Sequence, residues 1–329
     1  MRLVIQMTCV ELKEEMIMKK KIVAMTLSAV MAIGLLAGCS QTAETSAPAT
    51  TSGSESENTA AEDTTAASDS LSGTITAAGS SALKPLADDA AEAFYELHPD
   101  VVITIDAGGS GEGLTQVSDG TVDIGNSDVE ASEKLDEAQA AELVDHQVCV
   151  ITMAAIVNPD VAEAGVTDLS KEELIGIFTG EITNWSEVGG PDEDIVLVTR
   201  PTSSGTRATF QKYALDGNEE ASNASMETDD SGVLLQNVRD TKGAIGYVAL
   251  SYLVDDPGVA TVAIDGVEPT LENTYNGTYP VWTFEHMYTK GEPNEVVGAF
   301  LDYIMSDEYG TRMEELGYGV SSKMTTTEH

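Results

Sequence analysis

Ile195-Val196-Leu197-Val198-Thr199-Arg200-Pro201-Thr202-Ser203-Ser204-Gly205-Thr206-Arg207-Ala208-Thr209-Phe210 changes character halfway along. Residues 195–199 form an aliphatic run of strand length, and residues 206–215 read as a helix. Between them lies a polar turn that opens on an arginine and closes on Ser-Gly-Thr. The same alternation extends in both directions. Upstream, strands are predicted at 74–77, 101–105 and 148–157. Helices are predicted at 81–97, just after Gly111, and at 171–178. Leu83, Leu86, Ala90, Phe94 and Leu97 share one face of the 81–97 helix, and Pro85 is tolerated because it falls in the first turn. Downstream, strands follow at 244–248 and 281–288, then helices at 295–305 and 308–316. Strands alternating with helices predict α/β layers built on largely parallel sheets. No internal repeat of solenoid length interrupts the pattern.

The 329 residues suffice for two medium lobes or one large domain, and 42% hydrophobic residues can build a core. Aromatic residues make up only 5% and the formal charge is −40, so nucleic acid is excluded as a partner. A phosphate backbone would be repelled, and few rings are present to stack on its bases. The bland reading of the acidity, a solvated surface, is preferred to cation storage. Cys9, Cys39 and Cys149 form no CxxC pair and no disulfide framework. Cys149, within Val148-Cys149-Val150-Ile151, reads as an inert core thiol. No metal site or cofactor is expected.

The front of the chain reads as an address and a tether. Lys19-Lys20-Lys21 precede an apolar stretch that ends in Leu36-Ala37-Gly38-Cys39. A basic region, a short apolar segment and small residues before a cut are the parts of an export signal. The stretch is too short for a transmembrane helix. Its last four residues resemble a bacterial lipobox, in which Cys39 is lipidated and becomes the first residue. Residues 1–17 do not fit that pattern, and translation is expected to start at Met18 rather than Met1. Residues 40–70 hold no large apolar side chain, so a disordered leash is expected there. The expected organisation is residues 1–38 as upstream extension and signal peptide, and 39–71 as lipidated cysteine and tether. Residues 72–153 plus 283–329 would form one lobe, and 154–282 a second.

Three strand-to-helix turns share one composition: Gly79-Ser80-Ser81-Ala82, Gly108-Gly109-Ser110-Gly111 and Ser203-Ser204-Gly205-Thr206. Each sets hydroxyls and unhindered backbone at a helix amino terminus, where free N–H groups and the helix dipole favour an anion. Singly, each is also an ordinary N-cap. Together they can converge on one tetrahedral ion. Arg200 stands just before the third turn, and its guanidinium fork matches phosphate oxygens. Asp128, in Gly125-Asn126-Ser127-Asp128, can accept a hydrogen bond from a protonated anion such as phosphate. Sulfate brings no proton, and two like charges would face each other. Asp128 also fits the ordinary role of a turn cap.

The ordered motifs TAAGSSALKPL, IDAGGSGEGL, TVDIGNSDV, GEITNWSEVGG, TRPTSSGTRATF and KGAIGYV resemble the substrate-binding protein of the high-affinity phosphate ABC importer, the PstS family. The resemblance covers residues 71–323. It implies the type II periplasmic-binding-protein fold, with two α/β lobes joined by two crossing strands and closing on a dehydrated phosphate. It further implies that Ser81 gives its hydroxyl and N–H, and Ala82 an N–H. Ser110 would donate from the second turn, with Gly111 supplying backbone, and Asp128 would accept the phosphate proton. Arg200, Ser204, Gly205 and Thr206 would hold the ion from the other lobe.

Arg207 is left open, as a second cation at the site or as the partner of an acid such as Asp128. Glu112 departs from the small residue common among relatives, and Ser81 stands where many have threonine. The implied partners are inorganic phosphate and the importer's membrane subunits, with the protein a monomer anchored by lipid on the extracellular face. The Asp128 argument gives no discrimination against arsenate. Two alternatives are an adhesin or phosphate sensor on the same fold, and a phosphate-ester hydrolase. The hydrolase has thin support. His98, His146, His286 and His329 fall in no paired spacing, Gly108-Gly109-Ser110-Gly111-Glu112 is no GxSxG elbow, and no Walker lysine follows Gly113.

Overall fold

The computed structural model describes residues 71–326 apart from 223–225 and 256–257. The leader, Cys39, the tether and His329 lie outside the described residues. The strands, in chain order, are β1 (Ser72–Gly79), β2 (Asp100–Ala107), β3 (Ile124–Ser127), β4 (Leu143–Val157), β5 (Asp168–Leu169) and β6 (Val196–Thr199). They continue with β7 (Met226–Glu227), β8 (Ala244–Ala249), β9 (Ala260–Thr261), β10 (Ala263–Ile264) and β11 (Trp282–Lys290). The main path of the large sheet runs β2-β1-β3-β11-β4-β8-β6-β7, with β9 also paired to β4, while β10 and β5 form a separate pair.

The sheet is mixed rather than largely parallel. β1 pairs parallel with β2 and β3, and β6 pairs parallel with β7 and β8. The centre is antiparallel, because β11 runs against both β3 and β4, and β4 against β8 and β9. β4 is 15 residues long. Its earlier part, up to Thr152, pairs with β11, and Met153 onward pairs with β8, so it runs from one half of the sheet into the other. It starts before residue 148, where Leu143-Val144 is followed by the polar run Asp145-His146-Gln147 at a half-exposed end, which dilutes the strand signal.

Helices cover the sheet through apolar stripes. Lys84–Leu97 buries Leu86, Ala87, Ala90 and Phe94, and Phe94 meets Phe300 of the Glu295–Ile304 helix edge-on at 5.5 Å. The first of these helices begins three residues later than predicted. Ser80 Oγ accepts the N–H groups of Ala82 and Leu83, each at 3.1 Å, and makes a separate turn of residues 81–83. Leu97 does not join the stripe. It is 60% exposed at the helix end, and His98 packs on Phe94 in its place.

In the other half, Phe178, Phe210 and Tyr247 are fully buried together, and Phe210 stacks on Tyr247 with ring centroids 4.2 Å apart. Burial of a ring that size is worth about 1.5–3 kcal/mol. It fixes the Gly205–Tyr213 helix, and so its amino terminus, against β8. A helix at Ser231–Asp240, capped by Asp230, was not predicted. Cys149 is buried on β4, and burial pushes its thiol up into an inert form.

Candidate functional site

The three turns come together. Ser81, Ser110, Ser204 and Thr206 are each 1% exposed, as are the two charged residues Asp128 and Arg200. Charged groups enclosed to that degree are held only by partners. Asp128 follows β3 and receives Thr206 Oγ1 at 2.6 Å on Oδ2, while its backbone N–H donates to Ser110 Oγ at 3.0 Å. One contact set therefore links the segments at 110, 128 and 206. Gly111 N–H donates to the Ser203 carbonyl at 3.1 Å, which ties the second turn to the third.

Gly205 has to be glycine in this arrangement. A Cβ there would run into Ser110 Oγ and lie 2.8 Å from Ser110 Cβ and 3.0 Å from Asp128 Cβ. Gly109 has φ +82°, and its own missing Cβ would press on the Asp229 carboxylate.

Arg200 is spread over several partners. Nη1 donates to Ser231 Oγ at 3.0 Å, and Nη2 to Ser81 Oγ at 3.0 Å and the Asp229 carbonyl at 2.9 Å. The Asp229 carboxylate lies 3.5 Å from Nη2 and also receives Ser203 Oγ at 3.3 Å. Its acidity is weakened by burial, against the pull of Arg200. Arg200 Nε and Asp128 Oδ1 are buried with no hydrogen-bond partner among the described residues. Two strong polar groups thus keep unused capacity in one enclosed place.

Two expected backbone donors are already engaged. Ala82 N–H points to Ser80 Oγ, and Gly111 N–H to Ser203. Ser204 also serves as the N-cap of its helix, receiving Arg207 N–H at 3.3 Å. Arg207 does not pair with Asp128. Its Nη1 donates to the Arg200 carbonyl at 2.6 Å and its Nε lies 3.5 Å from Glu220 Oε2. Burial pushes Glu220 up to about 7, opposed by the Tyr247 hydroxyl at 2.7 Å and by Arg207. Arg207 therefore braces the residue that carries the site's guanidinium. Glu112 is exposed and accepts from Gln116 at 2.7 Å, away from the cluster.

Ser231, Asp229, Tyr252 and Lys134 belong to the neighbourhood although the sequence did not single them out. Ser231 and Ser81 hydroxyls are 3.0 Å apart, and Tyr252 donates to the Ser81 carbonyl at 2.6 Å. Lys134 donates to the carbonyls of Thr202 at 2.9 Å and Ser204 at 3.4 Å, bridging to the third turn. The one local signal was Asp230-Ser231-Gly232, another cap-and-glycine turn before a helix. Nothing in it reveals that it faces Ser81. Among the described histidines, His286 lies on Asp145, His146 on Thr289 and His98 on Phe94.

Fold and site together define an α/β protein of the periplasmic-binding class, and the comparisons agree. The PBP superfamily domain matches residues 64–308. The phosphate-binding protein PstS of Bacillus subtilis is 55% identical over 237 residues, which cover 72% of this chain and 77% of that one. A solved Clostridium perfringens structure, assigned as a phosphate ABC transporter substrate-binding protein and holding phosphate, aligns with a TM-score of 0.68 and 32% identity. It covers 75% of this chain and 98% of its own. An ABC-type phosphate transport receptor from Vibrio cholerae aligns with a TM-score of 0.59 and 27% identity, over 74% of this chain and 99% of the receptor. The chain belongs to the PstS family of the PBP superfamily.

Proposed function

We propose that the chain is an extracellular receptor that captures inorganic phosphate and delivers it to the membrane subunits of an ABC importer. The observation that carries this reading is the convergence of a 1% exposed arginine, a 1% exposed aspartate and the hydroxyls of three turns in one enclosed place. Arg200 supplies the positive charge and two-pronged geometry. Ser81, Ser110 and Ser204 have rotatable hydroxyls that turn their hydrogens to the anion, Thr206 orients Asp128 through its own hydroxyl, and Gly205 lets backbone approach the ion. Asp128 accepts the proton of phosphate, which sulfate lacks.

Residues 72–153 plus 283–329 form one lobe and 154–282 the other, with β4 and β11 as the crossing strands. The topology supports that division, since β4 changes partners at Thr152–Met153. Cys39 carries the lipid, residues 40–70 form the leash, and the receptor works as a monomer. It is a carrier rather than an enzyme. The Ser110 and Ser204 hydroxyls accept bonds from backbone N–H groups, and among the described residues no histidine hydrogen-bonds to them. Equilibrium binding of labelled phosphate tests the reading and separates it from an adhesin. Phosphate release from a chromogenic ester, expected to be nil, separates it from a hydrolase.

A further inference from the structure

Behind Asp128 lies a second acid. β11 runs antiparallel to β3 with His286 opposite Ser127 and Met287 opposite Asn126. The ladder ends there with β3, and the next residues on the two chains, Glu285 and Asp128, bring their carboxyls within hydrogen-bond reach. On its other side Glu285 pairs with Cys149 of β4, just before a register shift between Glu285 and His286. Glu285 is 0% exposed, and neither carboxyl oxygen has a donor among the described residues. Asp128 Oδ1 likewise has none.

The groups that face Glu285 are Asp128, within hydrogen-bond reach, together with the Cys149 thiol and the Tyr318 phenol. None of these is a cation. Two ionised carboxylates in that setting would repel without compensation, whereas one proton between them turns the contact into a hydrogen bond. Burial and the neighbouring Asp128 both push Glu285 well above the usual carboxylate range.

We propose that Glu285 is a positioning residue for the anion site, keeping its proton and donating it to Asp128 Oδ1. The proposal rests on the phosphate reading above for its consequence, though not for the protonation itself. A carboxylate has about four acceptor positions on its two oxygens. Thr206 occupies one on Oδ2 and Glu285 one on Oδ1, which fixes the plane of Asp128 and leaves a lone pair on each oxygen for a protonated ligand. The Asp128–Glu285 pair then carries one carboxylate charge rather than two.

The protonation is read directly by infrared spectroscopy of the full chain without ligand. The expected result at neutral pH is a protonated-carboxyl C=O band. It shifts on 13C-glutamate labelling, and the component that remains in Glu220→Gln is lost when Glu285→Gln is added. A labelled band that Glu285→Gln leaves unchanged overturns the proposal, whether or not the protein binds phosphate. Phosphate titration of the wild type judges the functional reading separately.

The positioning role is read from variants. Glu285→Leu leaves Asp128 Oδ1 without its donor and is expected to weaken phosphate binding about tenfold. Glu285→Gln, whose amide still donates, is expected to recover most of that loss. Wild-type affinity is expected to fall by up to about tenfold per pH unit as rising pH ionises Glu285, while Glu285→Gln shows no such fall. A glutamine variant as weak as the leucine variant, or pH profiles that coincide, would overturn the positioning role.

Discussion

Gly205→Ala is the sharpest single perturbation of the site. The new methyl would meet Ser110 Oγ and stand 2.8 Å from Ser110 Cβ and 3.0 Å from Asp128 Cβ. Neither Cβ can swing aside, since each is fixed to its own backbone, and Ser110 Oγ is further held by the Asp128 N–H at 3.0 Å. Overpacking of this kind costs about 1–3 kcal/mol. If the 110 and 128 segments belong to one lobe and 205 to the other, the whole cost falls on the closed form. At about 1.4 kcal/mol per tenfold, phosphate affinity should drop by about fivefold to a hundredfold. Ligand-free stability should hold or rise, because alanine is the better helix residue. Calorimetric titration and thermal melting without ligand measure the two quantities. Undiminished affinity, or a melting temperature that falls as far as the affinity, would refute the reasoning that 205 closes against 110 and 128.

Three other outcomes follow from the same geometry. Arg200→Ala is expected to cost phosphate binding on the order of 2–5 kcal/mol, against about 1 for Ser204→Ala, with titration of both variants as the check. Glu220 holds its proton up to about 7 when folded but loses it near 4.5 when unfolded. The unfolded state therefore binds fewer protons across that window, and stability falls as pH rises through it. Denaturant melts at pH 5 and 7 should show a smaller fall in Glu220→Gln than in the wild type. Cys39→Ala is expected to abolish acylation and leave uncleaved precursor, as read by labelled fatty acid and mass spectrometry.

The parts of the fold written in local sequence were legible. Arg200, the three turns and most helices follow from apolar period and capping chemistry, and the structure brings Ser81, Ser110, Asp128, Arg200, Ser204 and Thr206 together. Features that depend on distant partners were not. The antiparallel centre arises because β4 and β11 lie side by side, and neither strand's composition declares its neighbour. Ser231 touches Ser81 from 150 residues away. Glu285 sits in Trp282-Thr283-Phe284-Glu285-His286, where alternation alone marks it as one more strand residue. Its importance comes from its contact with Asp128, which lies just past the end of the β3–β11 pairing. Arg207 went to Glu220 because that acid is buried beside it under Tyr247, a tertiary fact with no trace near residue 207.

The central claim is that a protein of net charge −40 holds phosphate by enclosed, short-range donors and by one aspartate that requires a proton on the ligand. Exposed charges are screened over about 8–10 Å at ordinary ionic strength, while enclosed hydrogen bonds scarcely respond to added salt. The direct measurement is calorimetric titration with phosphate and with sulfate at low and high chloride, on the wild type and on Asp128→Asn. The account expects one phosphate per chain, an affinity nearly indifferent to chloride, and strong preference over sulfate that shrinks in Asp128→Asn. Equal binding of sulfate by the wild type, or phosphate affinity that falls steeply with salt, would contradict it.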